Sequence, residues 1–302
     1  MSKKSILYSI IIVVLVAVLF FQRSYQNRQY VQSTGRFFDI DSTSDVNLKI
    51  FSSTDTIGFS REMGKWKIVY PIVYEFEKTK KSSIEDQILK VESTTLPISK
   101  NSENYHFYKV ADTAYDRKVE FSVEGSPTQT IFFGQSENYS TSFARRGEEV
   151  FELTTNIVPT MNTSLLSWVD RTLLQIDKNS IFKLNIQTKD GKYTLINSDT
   201  LWQFVENSKE TNIKADNTKL NNILSVFSNF RFTDILYKEK AEYERMLETP
   251  EYVVDIDAVE PVQMVASKYD ENSFIVSLNN YFYQVANSSF ESLIAKKKDF
   301  DK

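Results

Sequence analysis

The chain contains no cysteine. That excludes disulfides, thiolate zinc sites, thiol catalysis and lipid attachment at a cysteine together. A folded body must then rest on its hydrophobic core alone, which 302 residues can supply. Histidine is almost missing as well, since His106 is the single one. A Ser-His-Asp triad would have to use it, and a metal site would have to be nearly all carboxylate. Seven glycines and six prolines are few, and phosphate-cradling loops need several glycines close together. Charge of one sign is also lacking: the formal net charge is −4, with Lys and Arg interspersed among Asp, Glu and Asn. No concentrated basic face for nucleic acid is expected. The one clear basic run, Lys296-Lys297-Lys298, suits the end of a predicted last helix through its dipole.

Apolar and aromatic residues are plentiful. The chain has 16 Tyr, 22 Phe and 41% hydrophobic residues against 25% charged, which excludes wholesale disorder. Its length suits two domains of roughly 130 residues each.

Met1-Ser-Lys-Lys4 precedes an uncharged run from Ile6 to Phe21, interrupted only by Ser9 and the Tyr8 hydroxyl. As a helix it would span about 24 Å, short of a ~30 Å hydrocarbon core yet within reach of snorkelling or local thinning. The run holds one small residue, Ala17, and ends Leu19-Phe20-Phe21-Gln22-Arg23 with no small-x-small cleavage pattern. This predicts an uncleaved signal-anchor over residues 1–22 and a polar tether over 23–36. Lys3 and Lys4 face Arg23, Arg28 and Arg36, so the positive-inside bias is weak. A short tail before a single anchor stays inside. The expectation is a single-pass inner-membrane protein that meets the bilayer through residues 6–21, with an extracytoplasmic body.

The body reads as an internal duplication. Asp41–Ile50 lines up with Asp177–Ile186 at an offset of 136, and the offset holds without a gap for more than fifty residues. Val46 pairs with Phe182, Leu48 with Leu184, Ile50 with Ile186 and Phe59 with Leu195. Trp66 falls on Trp202, and farther on Ile84 meets Leu220, Ile88 meets Leu224, Val91 meets Phe227 and Leu96 meets Phe232. Trp168 lies between the units. Val46, Leu48 and Ile50 alternate with polar residues, as a half-buried strand should. A turn, a second alternating strand and the tryptophan strand follow, then a helix carrying Ile84, Ile88 and Val91, or Leu220, Ile223, Leu224 and Phe227. Asp216 is the expected N-cap of the second helix.

After each helix come four short strands, each set followed by another helix. The first set is Lys118–Val123, Gln129–Phe133, Ser142–Arg145 and Glu149–Leu153. The second is Tyr252–Asp257, Val262–Ser267, Ser273–Leu278 and Tyr281–Val285, with Ser288-Ser-Phe-Glu291 reading as a capping box. The pattern predicts an α+β fold: an N-terminal transmembrane helix and two tandem, similar units of antiparallel sheet plus helix. The units span residues 37–160 and 177–302, joined by a linker helix region at 161–176.

With these features in place, the sequence resembles the bacterial domain-of-unknown-function 4340 family, membrane-anchored proteins with an N-terminal transmembrane helix. The residues that carry the likeness are the Ile/Leu-rich strand opening each unit, Gly64-Lys65-Trp66, the Lys-Val of Tyr105–Val110, and Trp168-Val-Asp-Arg-Thr-Leu-Leu174 leading into Ile181–Ile186. It covers most of residues 37–290. Copy two has Thr200 for Gly64, and a proline-flanked Gly-Leu element is degraded around Tyr108. The resemblance implies an accessory role beside an ABC transporter of the gliding-motility type, and it transfers no catalytic residue.

Side chains that could carry chemistry each have a plainer reading. His106 sits in Asn104–Tyr108 beside a predicted loop, which suits a structural or surface role. Asp255-Ile-Asp257, like Asp39-Ile-Asp41, puts two carboxylates on one strand face, where a divalent cation would fit but a solvated face is the commoner use. No Asp-x-Asp-x-Asp-Gly run accompanies them. Trp66 and Trp202 would suit a glycan, but core packing accounts better for equivalent positions on alternating strands. Asn280-Tyr-Phe-Tyr283 would suit an exposed partner surface. Ser and Lys are too scattered for a Ser/Lys dyad to be singled out. Neither catalytic, cofactor-binding nor metal residues are expected, and no cofactor. The function expected is a non-enzymatic, membrane-anchored accessory or scaffold of the bacterial cell envelope. A module binding glycan or lipid is the alternative, and a membrane-anchored hydrolase ranks third.

Overall fold

Val46, Leu48 and Ile50 are buried on one side of their strand while Asn47 stays exposed on the other. The same period of two recurs through most of the chain, so the fold is dominated by strands. The computed structural model describes residues 33–38, 40, 44–137, 139–198 and 201–300. The chain divides into two units at Val169/Asp170, so residues 161–169 belong to the first and 170–176 to the second.

In the first unit the strands are β1 (Thr34–Arg36), β2 (Val46–Phe51), β3 (Thr56–Glu62), β4 (Lys65–Tyr70), β5 (Tyr74–Glu75) and β6 (Glu92–Thr94). A small hairpin, β7 (Val110–Ala111) and β8 (Ala114–Tyr115), follows. Then come β9 (Arg117–Val123), β10 (Gln129–Gln135), β11 (Ser142–Arg146) and β12 (Glu149–Leu153). Ten of them form one antiparallel sheet in the order β1-β6-β12-β11-β10-β9-β2-β3-β4-β5.

The second unit has β13 (Thr172–Leu174), β14 (Lys183–Thr188), β15 (Gly191–Ser198), β16 (Leu201–Glu206) and β17 (Lys209–Lys214). After the helix Thr218–Ser228 come β18 (Phe230–Arg231) and β19 (Asp234–Leu236). The unit ends with β20 (Tyr252–Asp257), β21 (Val262–Lys268), β22 (Ser273–Leu278) and β23 (Tyr281–Ala286). Its nine-stranded sheet runs β17-β16-β15-β14-β20-β21-β22-β23-β19. Strand for strand, this is the order of the first sheet from β5 to β6.

The registers agree as well as the order. Leu48 faces Phe59, which faces Ile68; at the same offset Leu184 faces Leu195, which faces Phe204. Trp66 lies opposite Arg61, and Trp202 opposite Asn197. Phe182 departs from this pattern. It precedes β14 and stands 52% exposed, and Ile181 is buried instead.

The α+β expectation is corrected by the strand content of 44% and by what became of the helices. The segment carrying Ile84, Ile88 and Val91, read as a helix, forms a 3-10 turn (Lys78–Lys80) and a π turn (Ser83–Ile88), with the Leu89 N–H donating to the Ile84 carbonyl. Ile84, Ile88 and Val91 are still buried. Apolar spacing secures burial, and the wider turn delivers it without a regular helix. After β12 comes only the 3-10 turn Leu165–Ser167, and after β23 a helix of four residues, Ser288–Glu291. Its N-cap is Asn287, with no capping hydrogen bond from its side chain, so the expected capping box does not form. The Asn287 amide donates instead to the Glu271 carbonyl. Lys296–Lys298 lies beyond that helix and therefore does not close it. Thr218–Ser228 is a regular helix, as is the shorter Lys240–Met246, and the cap of the first is Asn217, not Asp216. The Asn217 carboxamide oxygen accepts from the Lys219 and Leu220 N–H groups.

The N-terminal assignments change too. Residues 34–36, placed in the tether by sequence, enter the sheet: β1 pairs with β6, and Phe37 and Phe38 pack edge-on against Phe133 and Phe121 respectively. The expected span over residues 6–21 lies outside the described residues. No helix among the described residues is long and apolar enough to cross a membrane. The single-pass, inner-membrane, signal-anchored assignment is corrected accordingly.

Each unit closes its core with an aromatic from its own last segment. Trp168 packs 4.9 Å from the Phe59 ring, and Phe300 sits 4.9 Å from the Phe204 ring. Burying such side chains contributes roughly 2–3 kcal/mol each. The opposite face of each sheet is only part covered. Residues 98–116 lie over β10–β12 through Tyr105, Val110, Ala111, Phe132 and Val150. In the second unit Tyr243, Leu236, Ile275 and Phe282 form the matching cluster.

Candidate functional site

The half of the first sheet that the 98–116 segment leaves open is built from β9, β2, β3 and β4. Its outward rows follow from strand pairing: Glu120 lies opposite Lys49, Lys49 opposite Gly58, and Gly58 opposite Tyr70. Gly58 has no side chain, so a shallow groove of about 150 Å³ opens there, lined by Asn47, Lys49, Gly58, Val69, Glu120 and Ser122. A Cβ at Gly58 would come within 3.0 Å of the Tyr70 Cβ. Register shifts between Gly58 and Phe59, which brings Tyr70 and Val69 to the rim. Val69, Tyr70 and Val73 are 43%, 45% and 61% exposed.

Cations stand over the aromatic rings of this face. The Lys49 ammonium is 4.7 Å from the Tyr70 centroid and 5.3 Å from that of Phe51. Lys118 sits 3.9 Å over Phe51 and pairs with Glu120 at 3.0 Å. Among the described residues Lys49, Lys65 and Lys67 are in no ion pair.

Beneath the sheet lies a second polar group. Arg61, 2% exposed, donates to the Ser44 carbonyl from Nε at 3.0 Å and from Nη2 at 2.7 Å. It also lies 3.7 Å from the Glu85 carboxylate, which accepts the Trp66 indole N–H at 3.0 Å. At the repeat offset the second unit has Asn197 and Asn221, so this ionic core is particular to the first. It ties the π turn to the sheet. A third group does the same for the covering segment: Arg145 donates to the Val110 carbonyl at 2.7 Å, the Gly147 carbonyl at 3.0 Å and Asp112 at 2.7 Å.

The family described as "Domain of unknown function (DUF4340)" matches residues 66–250, more than half of the chain. The chain belongs to this family. The match runs from the Trp66 strand of the first unit to just before β20 of the second, and so takes in both units. No curated protein and no solved structure matches it.

In this DUF4340 chain the residues singled out from sequence lie apart. His106 is exposed in a turn of the covering segment. Asp255 and Asp257 share the outward face of β20, where Asp255 accepts from the Gln263 amide at 2.7 Å. Asp39 and Asp41 lie outside the described residues. No group of three or more metal-ligating side chains occurs among the described residues. Trp66 and Trp202 are buried in their own units at 7% and 6% exposure. The Tyr-rich hairpin is turned inward: Phe282 belongs to the covered cluster and Tyr283 packs 5.0 Å from Phe232. Sequence reasoning passed over Lys49, Gly58, Val69 and Tyr70. The one signal there was Gly58 inside an alternating strand, where glycine marks a bulge or a close approach.

Proposed function

We propose that this DUF4340 protein is a non-enzymatic scaffold or accessory protein that holds a protein partner on the open half of its first sheet. The observation that carries the reading is the contrast across a single sheet face. Residues 98–116 seal β10–β12 with a hydrophobic cluster, while the neighbouring strands leave Val69 and Tyr70 in solvent at a groove and the turn after β4 leaves Val73 exposed. Apolar and aromatic side chains gathered at a groove within a charged rim are what interface anchors use. Subunits of an ABC-type transporter, the partners that the family resemblance implies, are the first candidates.

The test is photo-crosslinking in cells with full-length protein carrying benzoylphenylalanine at Val69 or Val73, and at Gln263 as control. Discrete protein adducts from the first two positions alone are the expected result. Adducts equal at all three positions, or none, would refute the assignment. Adducts of lipid or polysaccharide would favour a ligand-binding module instead.

A further inference from the structure

The rim charges and the groove dimensions together specify what the open face takes. We infer that the groove over Gly58 receives one large apolar side chain from an acidic peptide segment, whose flanking carboxylates are read by Lys49 and Lys67. This deepens the scaffold reading above and rests on it.

Volume sets the first term. About 150 Å³ is on the order of a cavity that accepts a benzene ring, which suits one aromatic or branched side chain and no larger ligand. Gly58 makes this room, since any side chain there would fill the groove and press on Tyr70. Charge sets the second. The carboxylate directly opposite Lys49 is Glu120, and Glu120 is taken by Lys118 at 3.0 Å. The Lys49 ammonium is left over two rings with no anion, a half-dehydrated cation for which an incoming carboxylate is a better partner than water.

Spacing sets the third. Ser60 lies between Asn47 on β2 and Lys67 on β4, so the strands bearing Lys49 and Lys67 are about 10 Å apart at ~4.8 Å per strand. Lys49 lies two residues, about 7 Å, along β2 from that row, so the two lysines are about 12 Å apart, and an extended segment with carboxylates about four residues apart spans them. Nucleic acid fits poorly, because Glu62, Glu75 and Glu120 are interleaved with the lysines around this half of the sheet and would repel a continuous polyphosphate.

Isothermal titration of the full-length protein with three random copolymers tests the inference: poly(Glu,Tyr), poly-Glu and poly(Lys,Tyr). The expected result is binding of poly(Glu,Tyr) at least tenfold tighter than of poly-Glu, with none of poly(Lys,Tyr). Lys49→Met, which keeps the stem on the rings and removes only charge, should weaken it about tenfold. Lys214→Glu, on the edge strand of the second unit, should stay within about twofold. The inference is overturned if poly(Glu,Tyr) does not bind, if poly-Glu binds as well, or if Lys49→Met changes nothing. It is also overturned if Lys214→Glu weakens binding equally. Protein adducts at Val69 together with any of these failures would leave the scaffold reading standing and remove only the acidic class of partner.

Discussion

A methyl group at Gly134 would lie 1.9 Å from the Tyr108 carbonyl oxygen and 2.7 Å from that of Lys109. Both neighbours are backbone, so no rotamer change relieves the clash. For Gly134→Ala, β10 and the 105–111 turn must part by about 1 Å or more, and overpacking of that kind costs about 1–3 kcal/mol. The parting also loosens Tyr105, Val110 and Ala111 from Phe132 and Val150. It lengthens the Arg145–Val110 hydrogen bond of 2.7 Å as well, and a buried guanidinium losing its acceptors raises the cost further. An overall loss of about 3 kcal/mol is expected, which lowers Tm by about 6–12 °C for a unit of this size. Calorimetry of the full chain measures it, and hydrogen exchange should show residues 98–116 losing protection before the sheet does. Gly35→Ala is the control. Its Cβ would meet only the Thr95 methyl at an ordinary 3.7 Å, so it should stay within about 1 kcal/mol of the parent. If the Gly134 variant melts within about 2 °C of the parent, the covering segment is not docked as described.

Three further outcomes follow from named contacts. Arg145→Leu strips the Val110 and Gly147 carbonyls of their donor, and should cost about 2–4 kcal/mol by chemical denaturation with an unchanged m-value. Asn217→Ala removes the side-chain cap of Thr218–Ser228 and the 3.1 Å bond to the Phe300 carbonyl. A loss of about 1–2 kcal/mol is expected, with the C-terminal segment exchanging faster. Burial, aided by Tyr252, pushes the Tyr193 phenol above its usual 10.0, and its hydroxyl donates to the Leu293 carbonyl. Because the folded state keeps a proton that the unfolded state loses, this contribution is whole below about pH 10. It falls as pH rises beyond that, by about 1.4 kcal/mol per unit. Tyr193→Phe should therefore be less stable at neutral pH yet decline less steeply from pH 10 to 11; parallel curves would contradict this.

Much of the strand pattern could be read from one chain. Gln129–Phe133 extends to Gln135 and Ser142–Arg145 to Arg146, while Glu149–Leu153 and Tyr252–Asp257 keep their bounds. Alternation is a local property, and strands express it wherever one side is buried. The helix carrying Leu220, Ile223, Leu224 and Phe227 forms as expected, whereas its counterpart in the first unit does not, for a matching reason: Ile84, Ile88 and Val91 need only reach the core, and a π turn tied by Glu85 to Arg61 and Trp66 brings them there. Asn280-Tyr-Phe-Tyr283 suits an exposed partner surface on sequence alone, yet it is turned inward, because alternation cannot say whether the second side faces water or a covering segment. Of the candidate site, only Gly58 left a trace in the sequence.

Composition and pattern by themselves determined three things: no thiol chemistry, a repeat at 136 residues, and strands with one apolar side. Those properties depend on residue identity and on near neighbours along the chain. Tertiary structure alone decided that β2 lies between β9 and β3, that residues 98–116 cover one half of a sheet face and leave the other open, and that Lys49 ends beside Glu120 without pairing to it. Each of these joins residues far apart in sequence, and the energy of such contacts exists only once the strands are in register.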